Sequence, residues 1–111
     1  MRRSGKLESN KSLFGVRLRE ARLRANIPQD KLGVAIGLDE TTASARISRY
    51  ETGVHEPAFE TAARLAKALG VPTAYFYCES PDLARWVVAW SKIDEKERIR
   101  ILALAESIET P

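Results

Sequence analysis

The stretch "ARISRYETG", residues 45–53, places two arginines three residues apart beside small polar side chains. A guanidinium group can donate two hydrogen bonds to O6 and N7 of a guanine base, or it can hold a phosphate. At helical spacing Ile47 and Tyr50 share one face and can pack inward, which leaves Arg46 and Arg49 free to meet a ligand. The pattern therefore predicts an amphipathic helix that carries arginines for an anionic partner.

The chain offers little material for catalysis or metal binding. It contains one histidine, His55, and one cysteine, Cys78, which lie far apart and are flanked by no nucleophile motif. It has no glycine-rich phosphate loop and no spaced set of metal ligands, and a single cysteine cannot form an internal disulfide. Glu95 and Glu97 fall at a charged helix start, where exposure to solvent is the expected state. We predict no enzyme activity, no cofactor and no metal site.

Positive charge is concentrated at the start of the chain. The net charge is +3, but residues 1–26 carry eight Lys or Arg against two Glu, whereas residues 27–111 carry ten basic and thirteen acidic residues. A clustered basic segment favours a polyanionic partner, above all nucleic acid, although membranes attract such segments too. For residues 1–10 alone, a solvated and disordered tail is an equal alternative to a DNA-binding arm.

Length and hydropathy restrict the size and location of the protein. A chain of 111 residues fits one compact domain with a small appendage. No stretch approaches the ~18 apolar residues of a membrane helix. The basic N-terminus is followed by neither an apolar segment nor the cleavage site of a secretory signal. We expect a cytoplasmic protein that does not insert into a membrane.

Helical periodicity recurs along the whole chain, and no alternating strand pattern interrupts it. Prolines, glycines and capping residues separate the periodic segments, so we predict an all-α fold. The first four predicted helices are residues 12–25, a short helix opened by Pro28 and ended near Gly37, a third helix that begins at Asp39, Thr41 or Thr42 and ends at Gly53, and residues 56–70. The last three are a short helix through "PTAYFY", a helix capped by Ser80 and Pro81, and a helix from Asp94 to near Ile108.

The second and third predicted helices are short, and they are joined through Gly37, which suits the left-handed conformation after a helix. The third helix exposes small polar residues and arginines. Two helices joined in this way can place the second in the major groove of DNA, whose width of ~12 Å admits one α-helix. These residues predict a helix-turn-helix unit.

Several short motifs occur together between Phe14 and Tyr77. They are Gln29 followed by Leu32, the Gly37-Leu38 turn, "ISRYETG", the helix entry at Pro57 and "LAKALGVPTAYF". In combination they resemble the Cro/CI (XRE-like) phage-repressor helix-turn-helix family. The resemblance implies a five-helix lambda-repressor-like DNA-binding domain, here followed by two C-terminal helices. It also implies a sequence-specific transcriptional regulator, bacterial or phage, and most often a repressor.

The resemblance also assigns roles to single residues. Gln29, which opens the second helix, is expected to bond a DNA phosphate and to help hold the recognition helix, and Arg17 of the first helix is also expected to meet phosphate. His55 stands where relatives often carry Lys or Arg for phosphate. Arg22 and Glu51 match residues that form a partly buried ion pair in relatives, so the resemblance gives both a structural role.

The chain departs from the family pattern between Leu38 and Ile47. Eight residues, "DETTASAR", stand where the common pattern has four, and four extra residues are about one helical turn. Either the recognition helix gains a turn at its N-terminus or the connection becomes a longer loop, and residues 39–46 leave both alternatives open. Counted back from Ile47, the predicted base-reading residues are Ser44, Ala45, Arg46, Ser48 and Arg49, with Thr41 and Thr42 as further candidates.

Residues 81–111 lie outside the resemblance and form a predicted C-terminal extension to the DNA-binding domain of residues 12–78. Its two helices carry more apolar surface than one packing face needs. We expect a homodimer, since DNA readers of this kind commonly pair on palindromic sites. The alternatives are that the surplus seals the five-helix core or binds another protein. The predicted dimer or partner surface comprises Trp86, Trp90, Ile101, Leu104 and Ile108.

Together these features predict a repressor that binds a palindromic operator in double-stranded DNA, with the basic arm of residues 1–11 near the phosphates. One alternative is an antitoxin, or another protein-interaction module, that represses its own operon. A weaker alternative is a scaffold or coactivator that uses the fold without reading bases. The roughly thirty residues after the domain are too few for an ordinary small-molecule sensor.

Overall fold

The computed structural model describes residues 12–108, and every regular element in this range is helical, which confirms the predicted all-α class. The predicted basic arm, residues 1–11, lies outside the described residues, as do residues 109–111. None of the helices between residues 12 and 108 combines the length and apolar character needed to cross a bilayer. The elements are α1 (Leu13–Ala25), α2 (Gln29–Ala35), α3 (Ala43–Thr52), α4 (Phe59–Leu69), a 3-10 helix (Thr73–Tyr77), α5 (Pro81–Lys92) and α6 (Glu95–Ile108).

Local sequence explains where the first two helices begin and end. The hydroxyl of Ser12 accepts a hydrogen bond from the N–H of Gly15 at 2.9 Å and caps α1, which ends at Asn26 in the left-handed conformation (φ 60°). Pro28, predicted as the first helical residue of α2, instead precedes the helix at φ −66° and ψ 157°. Because its ψ is extended, the helix itself starts one residue later, at Gln29.

Other boundaries also differ from the predictions. α3 begins at Ala43, later than each of the predicted starts, and the fifth helix is a 3-10 helix. α4 begins at Phe59 and not at residue 56. Pro57 disfavours helical backbone at residue 56, and Ala58 is still extended, at φ −63° and ψ 162°. α6 begins as predicted, because the carboxylate of Asp94 accepts the N–H of Glu97 at 2.9 Å.

The core lies between α1, α2, α3, α4 and the 3-10 helix. The rings of Phe14 and Phe76 meet with their centroids 4.8 Å apart, which joins α1 to the 3-10 helix. At Gly15, α1 approaches α3 so closely that a Cβ would overlap the carbonyl oxygen of Glu51. α3 therefore rests directly on α1. The largest fully buried side chains are Phe14, Leu18, Leu32, Ile47, Leu65, Tyr75 and Phe76.

α2 and α3 pack through a close approach of Gly33 to Ala43. A Cβ on Gly33 would lie 2.5 Å from the Cβ of Ala43 and 2.9 Å from its Cα. Gly37, at φ 97°, then reverses the chain, and the N–H of Leu38 donates to the carbonyl oxygen of Gly33 at 2.9 Å. Gly33 is thus required for space and Gly37 for its backbone conformation.

Gly33→Ala is expected to lower the free energy of unfolding by about 1–3 kcal/mol, because the added methyl group overpacks the contact between α2 and α3. The higher helix propensity of Ala offsets part of this cost, about 1 kcal/mol. Urea denaturation measures the difference. Ala43→Gly returns the lost space, so the double variant should be more stable than the sum of the two single changes. Strictly additive effects would contradict the close contact.

The two C-terminal helices are attached to the core unequally. Ala84 of α5 is 3% exposed, and Val87 and Val88 pack partly against the core. No residue of α6 is buried. α6 therefore adds nothing to the buried core.

Candidate nucleic-acid interface

α3 has a buried and an exposed side. Ala43 and Ile47 are fully buried and Tyr50 is nearly so, as the helical spacing predicted. Glu51 is also buried, beneath the last turn. The opposite side consists of the exposed residues Ser44, Ala45, Arg46 and Arg49, with Ser48 half-buried beside them. We call these five residues the α3 outer face.

Arg46 and Arg49 lie about one turn apart on the α3 outer face. With the residues between 12 and 108, their guanidinium groups form neither an ion pair nor a hydrogen bond. The carbonyl oxygen of Arg49 is engaged, since it accepts the N–H of His55 at 3.2 Å and the hydroxyl of Thr52 at 3.4 Å. The side-chain donors of both arginines are thus open to a ligand.

A buried ion pair fixes α3 to α1. The Nε atom of Arg22 lies 2.5 Å from Oε2 of Glu51, and its Nη2 atom donates to Oε1 at 3.2 Å. The Nη1 atom of Arg22 donates to the carbonyl oxygen of Ile27 at 3.1 Å, which ties the α1–α2 connection to the same group. Arg22 is 8% and Glu51 5% exposed. The predicted structural ion pair is confirmed.

Gln29 extends this network to the first turn of α3. Its Nε2 atom donates to Oε1 of Glu51 at 3.1 Å, and its Oε1 atom accepts the hydroxyl of Ser44 at 3.2 Å. One amide side chain therefore bonds both the first and the last turn of α3, in keeping with its predicted role in holding the recognition helix. One N–H of the amide remains for a phosphate oxygen.

The residues between Leu38 and α3 form a loop, which decides between the two alternatives for residues 39–46. Thr42 stands at the N-cap of α3, so the extra residues lengthen the connection and do not extend the recognition helix. Oδ1 of Asp39 accepts the N–H of Thr41 at 2.8 Å and its hydroxyl at 2.7 Å. Both hydrogen bonds from Thr41 stabilise the charged carboxylate and so lower the pKa of Asp39, the hydroxyl bond more than the N–H bond. This local turn competes with helix formation.

Thr41 and Thr42 consequently precede α3, although both remain exposed beside its first turn. The hydroxyl of Thr42 donates to the carbonyl oxygen of Asp39 at 3.3 Å. The hydroxyl protons of both threonines are thus engaged within the loop. A contact from either residue to a base edge has to use the acceptor lone pairs of its oxygen.

Arg17, predicted to contact phosphate, lies in the interior and is 4% exposed. Its Nε and Nη2 atoms donate to the carbonyl oxygens of Cys78 and Glu79 at 2.9 and 3.3 Å, and its Nη1 atom lies 3.0 Å from Oε1 of Glu20. The prediction is wrong because these groups occupy the guanidinium. The sequence contained a signal: Arg17 follows Phe14 by three residues and so lies on the buried stripe of α1.

His55 lies in the exposed loop after α3. The backbone N–H of His55 donates to the carbonyl oxygen of Arg49 and holds the loop against the last turn of α3. Gly53, at φ 85°, ends the helix, and a Cβ at this position would come within 3.0 Å of the backbone nitrogen of Ser12. The loop therefore borders the start of α1, so the chain leaves the described range at residue 12 close to the end of the recognition helix.

A second exposed surface lies on α5 and α6. The rings of Trp86 and Trp90, 6.2 Å apart, border an apolar groove of about 440 Å³ that Ile101 lines from α6. Leu104 and Ile108, the two other predicted surface residues, are 63% and 75% exposed. We call the groove, together with the exposed apolar side chains of α5 and α6 beside it, the α5–α6 surface.

The sequence model of the helix-turn-helix family matches residues 18–76, which run from α1 into the 3-10 helix. The chain belongs to the Cro/CI-like helix-turn-helix family. The cryptic phage CTXphi transcriptional repressor RstR of Vibrio cholerae is 30% identical to it over 99 residues, which are 89% of this chain and 77% of that protein. The crystal structure of the transcriptional regulator BswR matches it with a TM-score of 0.78 and 38% identity, over 83% of this chain and 91% of that one.

This Cro/CI-like protein is a DNA-binding transcriptional regulator, as its resemblance from Phe14 to Tyr77 implied. The likeness to RstR extends further than that segment, because it covers 89% of the chain and so includes part of the C-terminal extension. The family model itself ends at residue 76, before the C-terminal extension of residues 81–111. At least part of this extension is common to the Cro/CI-like protein and its phage relative.

Proposed function

We propose that the protein is a repressor that binds a two-fold symmetric operator as a homodimer and places α3 in the major groove. The α3 outer face carries this proposal, because it presents Arg46 and Arg49 while the other side of the helix is locked into the core. Arginine recognises guanine through two hydrogen bonds in that groove. The remaining base-reading candidates are Ser44, Ala45 and Ser48, with Thr41 and Thr42 in the preceding loop.

Phosphate contacts are proposed for groups at the edges of the α3 outer face. Gln29 keeps one amide N–H beyond its bonds to Glu51 and Ser44. His55 is exposed next to the last turn of α3. The basic residues 1–11 join the described chain at residue 12, beside the loop that contains His55. These contacts position the protein on the duplex, whereas the base contacts select the sequence.

The α5–α6 surface supports the homodimer. α6 buries none of its residues in its own chain, and its large apolar side chains Ile99, Leu102, Leu104 and Ile108 are at least 49% exposed. A monomer in water rarely leaves a whole helix in this state. In a two-fold dimer the same surface of each copy covers that of the other.

Selection of bound sequences from random duplex DNA tests the proposed function. The selected sequence is expected to be palindromic and to bind ~10³-fold or more tightly than scrambled DNA. The affinity for both DNAs is then followed against salt concentration. Uniform and steeply salt-dependent binding would contradict base readout, since it would mean contacts to phosphate alone.

Leu104→Glu is expected to weaken self-association roughly 100-fold or more, because two carboxylates would be buried without partners in the dimer. Sedimentation equilibrium of the full chain measures this change. Ala103→Glu is the matched control, since it places the same charge at an exposed position of α6 that does not line the apolar groove and is not among the predicted surface residues, and it should leave the dimer intact. Equal dimer stability in both variants would place the interface elsewhere.

The same surface fits a second function, that of an antitoxin-like module whose C-terminal helices bind another protein. This alternative would be favoured if the isolated protein sedimented as a monomer and if a second chain copurified with it. Both functions are regulatory rather than enzymatic, and both belong in the cytoplasm, where operator DNA is accessible. A scaffold without base readout is the outcome if selection yields no sequence at all.

A further inference from the structure

A buried arginine of α1 holds the segment that leads from the DNA-binding domain to the C-terminal helices. Arg17 donates one hydrogen bond to the carbonyl oxygen of Cys78 and one to that of the next residue, Glu79. Ser80 follows directly and caps α5, its hydroxyl accepting the N–H of Leu83 at 3.0 Å. The planar guanidinium group of Arg17 thus holds two consecutive carbonyl groups just before α5. We call this segment, Cys78 and Glu79, the junction.

Because these hydrogen bonds lie directly before α5, they can influence the direction of that helix. α1 also supports α3 through the Arg22–Glu51 ion pair, so one helix contacts both the recognition helix and the start of the C-terminal extension. After the junction, α5 packs against the 3-10 helix and the core through Ala84, while α6 buries nothing. The angle at which α5 leaves the domain therefore depends on the segment Cys78–Glu79 together with the packing of Ala84, Val87 and Val88 on the core.

We propose that Arg17 is a positioning residue that fixes the α5–α6 surface relative to α3 and thereby sets the half-site spacing of the operator. This inference rests on the proposed function, because it requires a dimer that reads two half-sites. In such a dimer the interface on α5 and α6 determines how far apart, and at what relative rotation, the two recognition helices lie. One extra base pair shifts a half-site by about 3.4 Å and rotates it by about 35°, so a rigid junction selects one spacing.

Arg17 acts on spacing through the junction and not through DNA. Its side chain is 5% exposed, and all three of its nitrogens have partners within the protein. Its third partner, Glu20, also accepts the hydroxyl of Tyr75 at 3.1 Å and is 43% exposed. Glu20 thus belongs to the same cluster but makes no contact with the two junction carbonyls, which makes it a suitable control position.

The test measures the affinity of the full chain for operators in which two selected half-sites are separated by different numbers of base pairs, and for one half-site alone. Wild-type protein is expected to prefer one spacing by about tenfold or more over its neighbours. Arg17→Met is expected to bind the best-spaced operator about tenfold more weakly and to prefer it less than about threefold over adjacent spacings, with half-site affinity changed less than about twofold. Glu20→Gln should keep the wild-type profile.

Arg17→Lys is measured beside Arg17→Met, because loss of a buried guanidinium can also unfold the chain. A lysine keeps the charge next to Glu20 but lacks the fork that bonds both carbonyls, so the spacing profile should still broaden. A second readout needs no DNA: spin labels at Arg64→Cys on α4 of each protomer should give a narrow distance distribution in the wild-type background and a broad one with Arg17→Lys.

Three results would overturn the inference. A folded Arg17 variant with a wild-type spacing profile shows that the junction is fixed by other contacts. An equal loss for half-site and full operator shows that Arg17 supports the DNA-binding domain alone. A wild-type protein that has no palindromic site or no spacing preference contradicts the proposed function itself, and the positioning role with it. This third result is recognised before any variant is measured.

Discussion

Glu51→Ala lowers the free energy of unfolding by about 3–5 kcal/mol, the largest effect we expect from a single substitution in this chain. Glu51 is 5% exposed and is the charge partner of Arg22, which is itself buried. Its removal leaves the guanidinium in the interior with the Ile27 carbonyl oxygen and no counter-charge. Gln29 also loses the acceptor that holds it beneath α3. Thermal unfolding should shift down by at least ~12 °C for a domain of this size.

A double-mutant cycle separates the ion pair from the cavity that Glu51→Ala creates. Arg22→Met replaces the charged side chain with an apolar one of comparable length. The double variant Arg22→Met/Glu51→Ala is expected to be more stable than the sum of the two single changes, because it leaves no buried charge unpaired. Equal melting temperatures for Glu51→Ala and wild type would show that the pair contributes nothing to the fold.

Arg46→Ala and Arg49→Ala test the α3 outer face, where the second large effect is expected. For at least one of them, the affinity for the selected operator should fall by about 1–3 kcal/mol per lost guanine contact, roughly 5- to 150-fold. Affinity for scrambled DNA should fall much less, so the ratio between the two DNAs shrinks. Because both side chains are exposed and unpaired with residues 12–108, neither change should alter the melting temperature appreciably.

Lysine variants at the same positions distinguish base reading from simple attraction to phosphate. Arg46→Lys and Arg49→Lys keep the charge but cannot form the planar two-bond contact with guanine. They should therefore retain binding to scrambled DNA while losing specificity. Arg85→Ala on α5, whose side chain is 81% exposed, is the control for removing a surface arginine away from α3. Wild-type specificity in both lysine variants would mean that the arginines act as point charges only.

The recognition-helix assignment could be made from sequence because it depends on neighbours within a few turns. Ile47 and Tyr50 repeat with the helical period, and their burial follows from the same apolar stripe that predicted it. The start of α3 could not be predicted in this way. Residues 39–42 are compatible with both a helix and a loop, and the Asp39 carboxylate favours the loop through its bonds to Thr41.

Arg17 shows why an assignment from residue type and helix alone can fail. A basic residue on the first helix of a DNA-binding domain invites a phosphate contact, but its side chain points to carbonyl groups 61 and 62 residues later in the chain. The helical stripe signals that the position is buried. The stripe cannot show which groups satisfy the guanidinium, because those lie in a segment that only the folded chain brings close.

The sequence by itself determined the helical class, the Cro/CI-like family and the side of α3 that faces outward, since capping, periodicity and motif spacing are local properties of the chain. Only the tertiary structure decided which groups satisfy the Arg17 guanidinium, that Gln29 joins both turns of α3 through Glu51 and Ser44, and that α6 is left without burial. These features depend on contacts between distant segments, whose geometry is set by the packing of the whole core.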